Sequence, residues 1–203
     1  MQRLIEGYRE FRRGYFQENR ALFGHLAQGQ RPHSMVITCS DSRIDPRLIF
    51  NASPGDMFIL RNVANLVPPY SPDDRYHGTS AAIEFAVRSL AVEHIIILGH
   101  GRCGGVAALL GAHEGEFIGP WMRIAEPARD RALAAVGAGD AQALQRACEE
   151  ETMKVSLANL MTFPWLREQV EAGHLKLHAC HFVIEDGELQ VLDQASGRFH
   201  GVG

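Results

Sequence analysis

Three short apolar runs stand out along the chain: Met35-Val36-Ile37-Thr38, Met57-Phe58-Ile59-Leu60 and Ile95-Ile96-Ile97-Leu98. None alternates with polar residues, which predicts strands at 35–39, 57–61 and 94–98, the third of them buried on both faces. Between them the apolar period lengthens to that of a helix. Ala82, Phe85, Ala86 and Leu90 share one side of a segment at 80–90, with Thr79 placed to cap it. Pro46 is placed to open a short helix through Phe50, and Gly104-Gly105 leads into another through Leu110. Residues 119–161 are alanine-rich and helical, broken at Pro127 and Gly137-Ala138-Gly139, and Pro164 starts a further helix ending at Gly173. Residues 175–185 and 188–193 read as two strands joined by a tight turn at Asp186-Gly187.

Ahead of these elements, Leu4, Tyr8, Phe11, Tyr15, Leu22, Phe23 and Leu26 fall near helical spacing, and Gly7 and Gly14 predict a division into shorter helices. Such an aromatic stripe packs either on the chain's own core or across a partner subunit. The order of elements predicts one α/β domain over residues 1–203. Its central, mainly parallel β-sheet is flanked by helices, with an antiparallel C-terminal edge hairpin and an N-terminal helical arm at 1–28.

Composition narrows the picture. The 203 residues are 46% hydrophobic and 22% charged with a net charge of −4, which suits one globular core and points to neither a nucleic-acid partner nor a membrane surface. No apolar run reaches the roughly 20 residues of a membrane span. Residues 1–10 lack the apolar stretch of a secretory signal, so a cytoplasmic location is expected. Four scattered cysteines, Cys39, Cys103, Cys148 and Cys180, do not make a disulfide framework.

Cys39 directly follows the first strand, and His100 and Cys103 follow the third. Adjacent parallel strand ends open on one crevice, so two thiolates and an imidazole are delivered to a soft three-ligand site. Such a set suits zinc and leaves a fourth position for water. A single strand-end cysteine is more often a small buried hydrophobe, and the glycines around His100 lack the G-x4-G-K-[ST] pattern of a phosphate loop. Asp41 either joins the metal as a ligand or is held away by bidentate pairing with Arg43, and Ser40-Asp41-Ser42 also suits a plain turn. Cys148 and Cys180 read as packing residues. No proton shuttle can be chosen among His25, His33, His77 and His113.

Together, C-x-D-x-R at Cys39, Asp41 and Arg43 and H-x2-C at His100 and Cys103 resemble the β-class carbonic anhydrases. The similarity extends through residues 61–70, 82–87 and 97–105, is dense from Gln30 to Leu110 and continues to Asp193. The resemblance implies Zn2+ held by Cys39, His100 and Cys103, a water or hydroxide in the fourth place, and reversible hydration of carbon dioxide to bicarbonate and a proton. It implies that Arg43 keeps Asp41 ionised and off the metal, where Asp41 orients the nucleophile. It implies a substrate cleft lined by Gln30, Phe58, Val63, Phe85 and Gly104, although many relatives carry tyrosine where this chain has Phe85. It also implies a homodimer or an assembly of dimers with active sites near the interface. Arg61 is either a bicarbonate contact or the partner of a carboxylate.

Two rivals share these residues: hydrolysis of carbonyl sulfide or carbon disulfide at the same site, and a non-catalytic zinc-binding interaction module. An intact Asp41 and Arg43 speak against the module. Some relatives have a closed form in which the aspartate ligates zinc and bicarbonate fills an inhibitory pocket of tryptophan, arginine and tyrosine. The matching positions here are Val36, Arg61 and Phe182, so only the arginine is kept and an open site is expected.

Overall fold

The computed structural model describes residues 1–111 and 115–202. It falls into two compact units, Met1–Arg31 and Pro32–Gly203.

The first unit is helical: α1 (Gln2–Arg13), α2 (Tyr15–Glu18) and α3 (Arg20–Leu26). Gly7 does not divide it. The helix runs through that position, a cost of about 1 kcal/mol relative to alanine that eleven other helical residues absorb. The break comes at Gly14 (φ −97°, ψ −98°). Phe16 and Phe23 pack with ring centroids 4.9 Å apart, and Phe11 meets Phe23 edge-on at 5.9 Å. None of the three helices buries a residue.

The second unit is built on a six-stranded sheet. Its strands are β1 (Ser34–Cys39), β2 (Met57–Asn62), β3 (His94–His100), β4 (Lys176–Val183), β5 (Glu188–Asp193) and β6 (Arg198–Gly201), in spatial order β2-β1-β3-β4-β5-β6. The first four in that order are mutually parallel, and β5 and β6 continue antiparallel. The uninterrupted apolar runs occupy β1 and β3, where Met35, Val36, Ile37, Ile95, Ile97 and Leu98 are fully buried. Strand β6 has no counterpart in the apolar pattern. It is four residues long, only Phe199 is partly buried, and backbone pairing of Leu192 with Phe199 holds it. The hairpin also differs. β4 ends at Val183, and a four-residue loop closes with Gly187 (φ 69°) donating its N–H to Val183 O at 2.9 Å.

On one face of the sheet lie α5 (Gly78–Glu84), a π turn at Phe85–Ser89, α9 (Ala141–Leu160) and α10 (Pro164–Glu171). Thr79 is not the cap of α5, because the helix begins one residue earlier; its hydroxyl instead meets Asn62 Nδ2 at 3.4 Å. The π turn changes the helical period, so Ile83, Ala86 and Val87 carry the burial and Phe85 is left 44% exposed. Asp140 caps α9 by accepting from the N–H groups of Gln142 and Ala143. Met153 of α9 reaches β3 only because residue 99 is glycine: a Cβ there would lie 2.6 Å from the Met153 sulfur.

Between β1 and β3 the chain leaves in opposite directions, to β2 on one side and β4 on the other. That switch point is where the C-terminal ends of parallel strands open a crevice. Cys39 ends β1 and His100 ends β3, two residues beyond the expected strand end.

Candidate metal centre

Cys39, His100 and Cys103 converge at this crevice, their ligand atoms all within 4.8 Å of one another and each residue at most 4% exposed. Cys103 is carried there by the loop that links β3 to α6 (Gly104–Leu110), with Arg102 at φ 54°. Gly105 lets α6 sit against the Val63–Asn65 turn, since a Cβ would meet Val63 Cγ1 at 2.8 Å and Ala64 Cβ at 2.9 Å. His100 Nδ1 donates to Gly101 O at 2.9 Å, which turns the bare Nε2 inward. That nitrogen is buried and has no hydrogen-bond partner among the described residues.

The donor set fits a tetrahedral cation. Two sulfurs bonded at about 2.3 Å to one tetrahedral ion stand about 3.8 Å apart, and the Cys39 and Cys103 sulfurs are 3.9 Å apart. The same closeness opposes two bare thiolates. The hydrogen bond from the Cys103 thiol pulls Cys39 down to about 4, while that contact and burial push Cys103 up. A divalent ion between them removes the conflict and gives the orphaned imidazole nitrogen a partner.

Asp41 stands beside the triad. Arg43 donates to both its oxygens, Nε to Oδ1 at 2.9 Å and Nη2 to Oδ2 at 2.7 Å, and the Arg43 N–H adds a third bond to Oδ1 at 3.0 Å. Those hydrogen bonds from Arg43 hold the carboxyl well below the usual carboxylate range. Arg43 Nη2 also donates to Arg102 O at 3.0 Å, tying the two ligand loops together.

Arg61 does not pair with a carboxylate among the described residues. Its guanidinium donates to three main-chain carbonyls, Cys39 O (3.0 Å), Asp41 O (2.8 Å) and Ile44 O (2.7 Å), and so clamps the loop that follows β1. Val36 and Phe182 lie in one apolar cluster with Ile44, Leu98 and Cys180.

The five cleft residues divide. Val63 follows the β2 residue paired with Cys39, and Gly104 follows Cys103, so both border the triad. Phe58 is paired with Met35, four residues and roughly 13 Å down the sheet from Cys39. It meets Phe85 at 5.8 Å between ring centroids, so these two form an apolar pair away from the triad of their own chain. Gln30 is exposed in the first unit. Cys148 and Cys180 are buried and are not part of the ligand group, although Cys148 shares an apolar cluster with Cys39 and Cys103. Of the other histidines, His77 Nε2 is 2.6 Å from Asp73 Oδ1, His33 Nδ1 is 3.5 Å from Glu93 Oε1, and His113 lies outside the described residues.

One contact was not read from the sequence: Glu149, 4% exposed on α9, accepts the Cys103 N–H at 2.9 Å. A charged residue inside the helix's buried face, next to Cys148 and one turn before Thr152 and Met153, was the available signal.

Comparison with known proteins agrees with this geometry. The family model for carbonic anhydrase matches residues 34–189. A carbonic anhydrase of Synechocystis sp. is 36% identical over 197 residues, which is 95% of this chain and 71% of that protein. The solved β-carbonic anhydrase CcaA superposes with a TM-score of 0.94 at 35% identity, over 100% of this chain and 92% of the other. A tetrameric β-carbonic anhydrase from Sordaria macrospora superposes with a TM-score of 0.85 at 28% identity, over 100% and 98%. The chain belongs to the carbonic anhydrase family, and its fold is that of the β class.

Proposed function

We propose that this protein is a zinc carbonic anhydrase of the β class, with Cys39, His100 and Cys103 as ligands and Asp41 and Arg43 completing the catalytic group. The observation that carries this reading is the bidentate Asp41–Arg43 pair set beside a buried two-sulfur, one-nitrogen cluster. A zinc ion held by these three residues would supply Lewis-acid chemistry, lowering the pKa of a water to near neutral, an effect already familiar from carbonic anhydrases with three histidine ligands.

The chain's own residues do the rest. Asp41, kept ionised by Arg43, accepts the nucleophile's proton as a hydrogen bond and directs the oxygen lone pair at the substrate carbon. Val63 offers apolar surface to a nonpolar gas, and the N–H of Gly104 is placed to donate to a bicarbonate oxygen. Phe58 and Phe85, remote from their own triad, complete the cleft of a second copy in a homodimer, with Gln30 donating its amide there. Two further features support the dimer. The arm exposes Leu4, Tyr8, Phe11 and Tyr15, and Tyr76 and Phe117 stand free at an apolar groove of about 680 Å³ that includes Val63. No described helix is long and apolar enough to cross a membrane, and we place the enzyme in the cytoplasm.

Metal analysis with stopped-flow carbon dioxide hydration tests the reading. About one zinc per chain is expected, lost from Cys39→Ser, His100→Ala and Cys103→Ser. Full metal content in all three variants would reject the ligand set. Bound zinc with carbonyl sulfide turnover and no hydration would favour the heterocumulene reading.

A further inference from the structure

Behind the metal-ligand loop lies a buried polar cluster that the chemistry above does not use. Glu149 is at its centre. Its Oε1 accepts from the Cys103 N–H at 2.9 Å and from Gln145 Nε2 at 3.1 Å, and its Oε2 is 3.3 Å from His181 Nε2. Gln145 Nε2 also reaches Cys103 O, at 3.4 Å. His181 is fully buried on β4, and Arg146 Nη1 approaches its Nδ1 at 2.7 Å against 3.3 Å for Nε2. A guanidinium has no acceptor, so Nδ1 turns its lone pair to Arg146 and the ring proton sits on Nε2, aimed at the carboxylate. Arg146 is held in turn by Glu150 at 2.7 Å and by Gln190 on β5.

We propose that Glu149 is a positioning residue for the metal centre, fixing the main chain at Cys103 so that its sulfur is held in place for zinc. The inference rests on the ligand set given above. Cys103 sits where a strand has ended and a helix has not yet begun, and its neighbour Arg102 is in the left-handed region, sparsely populated by residues other than glycine. The Cys103 N–H therefore lacks the regular acceptor that a strand or helix interior provides, and a carboxylate from α9 takes that place. Arg43 holds the same loop from the other side through Arg102 O. Groups bonded to ligands in this way set metal retention, and their loss costs about 10- to 100-fold in affinity.

The test is the rate at which the zinc-loaded enzyme yields its metal to a chromophoric chelator. Glu149→Ala should release zinc at least about tenfold faster than the wild type. Glu149→Gln keeps an oxygen for the Cys103 N–H but sets its amide N–H against the His181 Nε2–H, so it should release zinc faster than the wild type and more slowly than Glu149→Ala. Glu149→Asp keeps the charge but withdraws the oxygen by one methylene, so it should follow the alanine variant and carries the test if alanine does not fold. Thermal melting of the metal-free proteins separates positioning from general stability: a merely structural residue lowers that transition without changing the release rate. Wild-type release from the alanine or aspartate variant overturns the assignment, as does release from the glutamine variant as fast as from alanine. A wild type that binds no zinc would instead defeat the ligand set.

Discussion

Asp41 accepts both arms of the Arg43 guanidinium while its Oδ2 stands 3.9 Å from His100 Nε2. The carboxylate is thus near the ligand cluster yet turned to a partner that satisfies both its oxygens. Asp41→Ala should therefore keep zinc and lose hydration, with kcat/KM down by about 10²- to 10⁴-fold, the range for a positioned proton-handling group. Arg43→Lys cannot form the paired bonds and should fall between wild type and Asp41→Ala. Zinc lost from the Asp41 variant would make the carboxylate a ligand.

Arg61 carries a separate expectation, because its three bonds are to backbone and none is to a carboxylate. Arg61→Ala leaves those carbonyls without their charged donor. Hydrogen bonds to charged groups contribute about 1.5–3 kcal/mol, less at an exposed edge, so a loss on the order of 1–3 kcal/mol in denaturant unfolding is expected. Hydration should fall with it, since Asp41 lies in the clamped loop. Unchanged stability with an altered bicarbonate KM would return Arg61 to an anion-binding role.

The sequence carried the metal cluster because each ligand sits at or just past a recognisable strand, and the strands are neighbours only in a parallel sheet. Asp41 and Arg43 were legible as a pair because a two-residue offset at a turn brings them into reach. What it could not show is set by contacts between distant segments. Arg61 is 17 to 22 residues from the carbonyls it holds, and Glu149 is 46 residues from Cys103. Phe85 fitted an apolar stripe, yet the π turn faces it outward, and backbone pairing rather than an apolar signal holds β6.

The arm gives a prediction about assembly. Removing residues 1–20 should expose apolar surface and shift the particle to smaller or aggregated species in light scattering, with hydration reduced. A full-length protein that is monomeric and active at micromolar concentration would defeat the shared cleft, because Phe58 and Phe85 do not reach the triad of their own chain.

His94 and His178 give a prediction about acid stability. Their rings share a hydrogen bond, Nδ1 to Nε2 at 3.0 Å, on neighbouring strands β3 and β4. Burial first, then the charges of His94 and Lys176, lower the His178 pKa. The unfolded chain then binds a proton more readily than the folded one. The penalty is absent well above pH 6.5 and grows as the pH falls through that value, levelling only below the folded pKa. His178→Gln removes this group, so the stability of the variant relative to wild type should rise between about pH 7.5 and 5 in urea titrations. A difference that does not change with pH would contradict this.

The last prediction concerns bicarbonate. An inhibitory anion at Val36, Arg61 and Phe182 would need donors, but valine and phenylalanine offer none and Arg61 already serves three carbonyls. Val36 is fully buried in an apolar cluster with Phe182, so an anion there would lose its hydration without replacement bonds. A ligand shifts a two-state equilibrium only through contacts that differ between the states. The closed arrangement, with Asp41 turned from Arg43 to the metal, therefore has no bound anion to favour it. Bicarbonate should inhibit hydration without cooperativity, with a Hill coefficient of about 1. Cooperative inhibition of the wild type would show that a closed form exists and that an anion drives it.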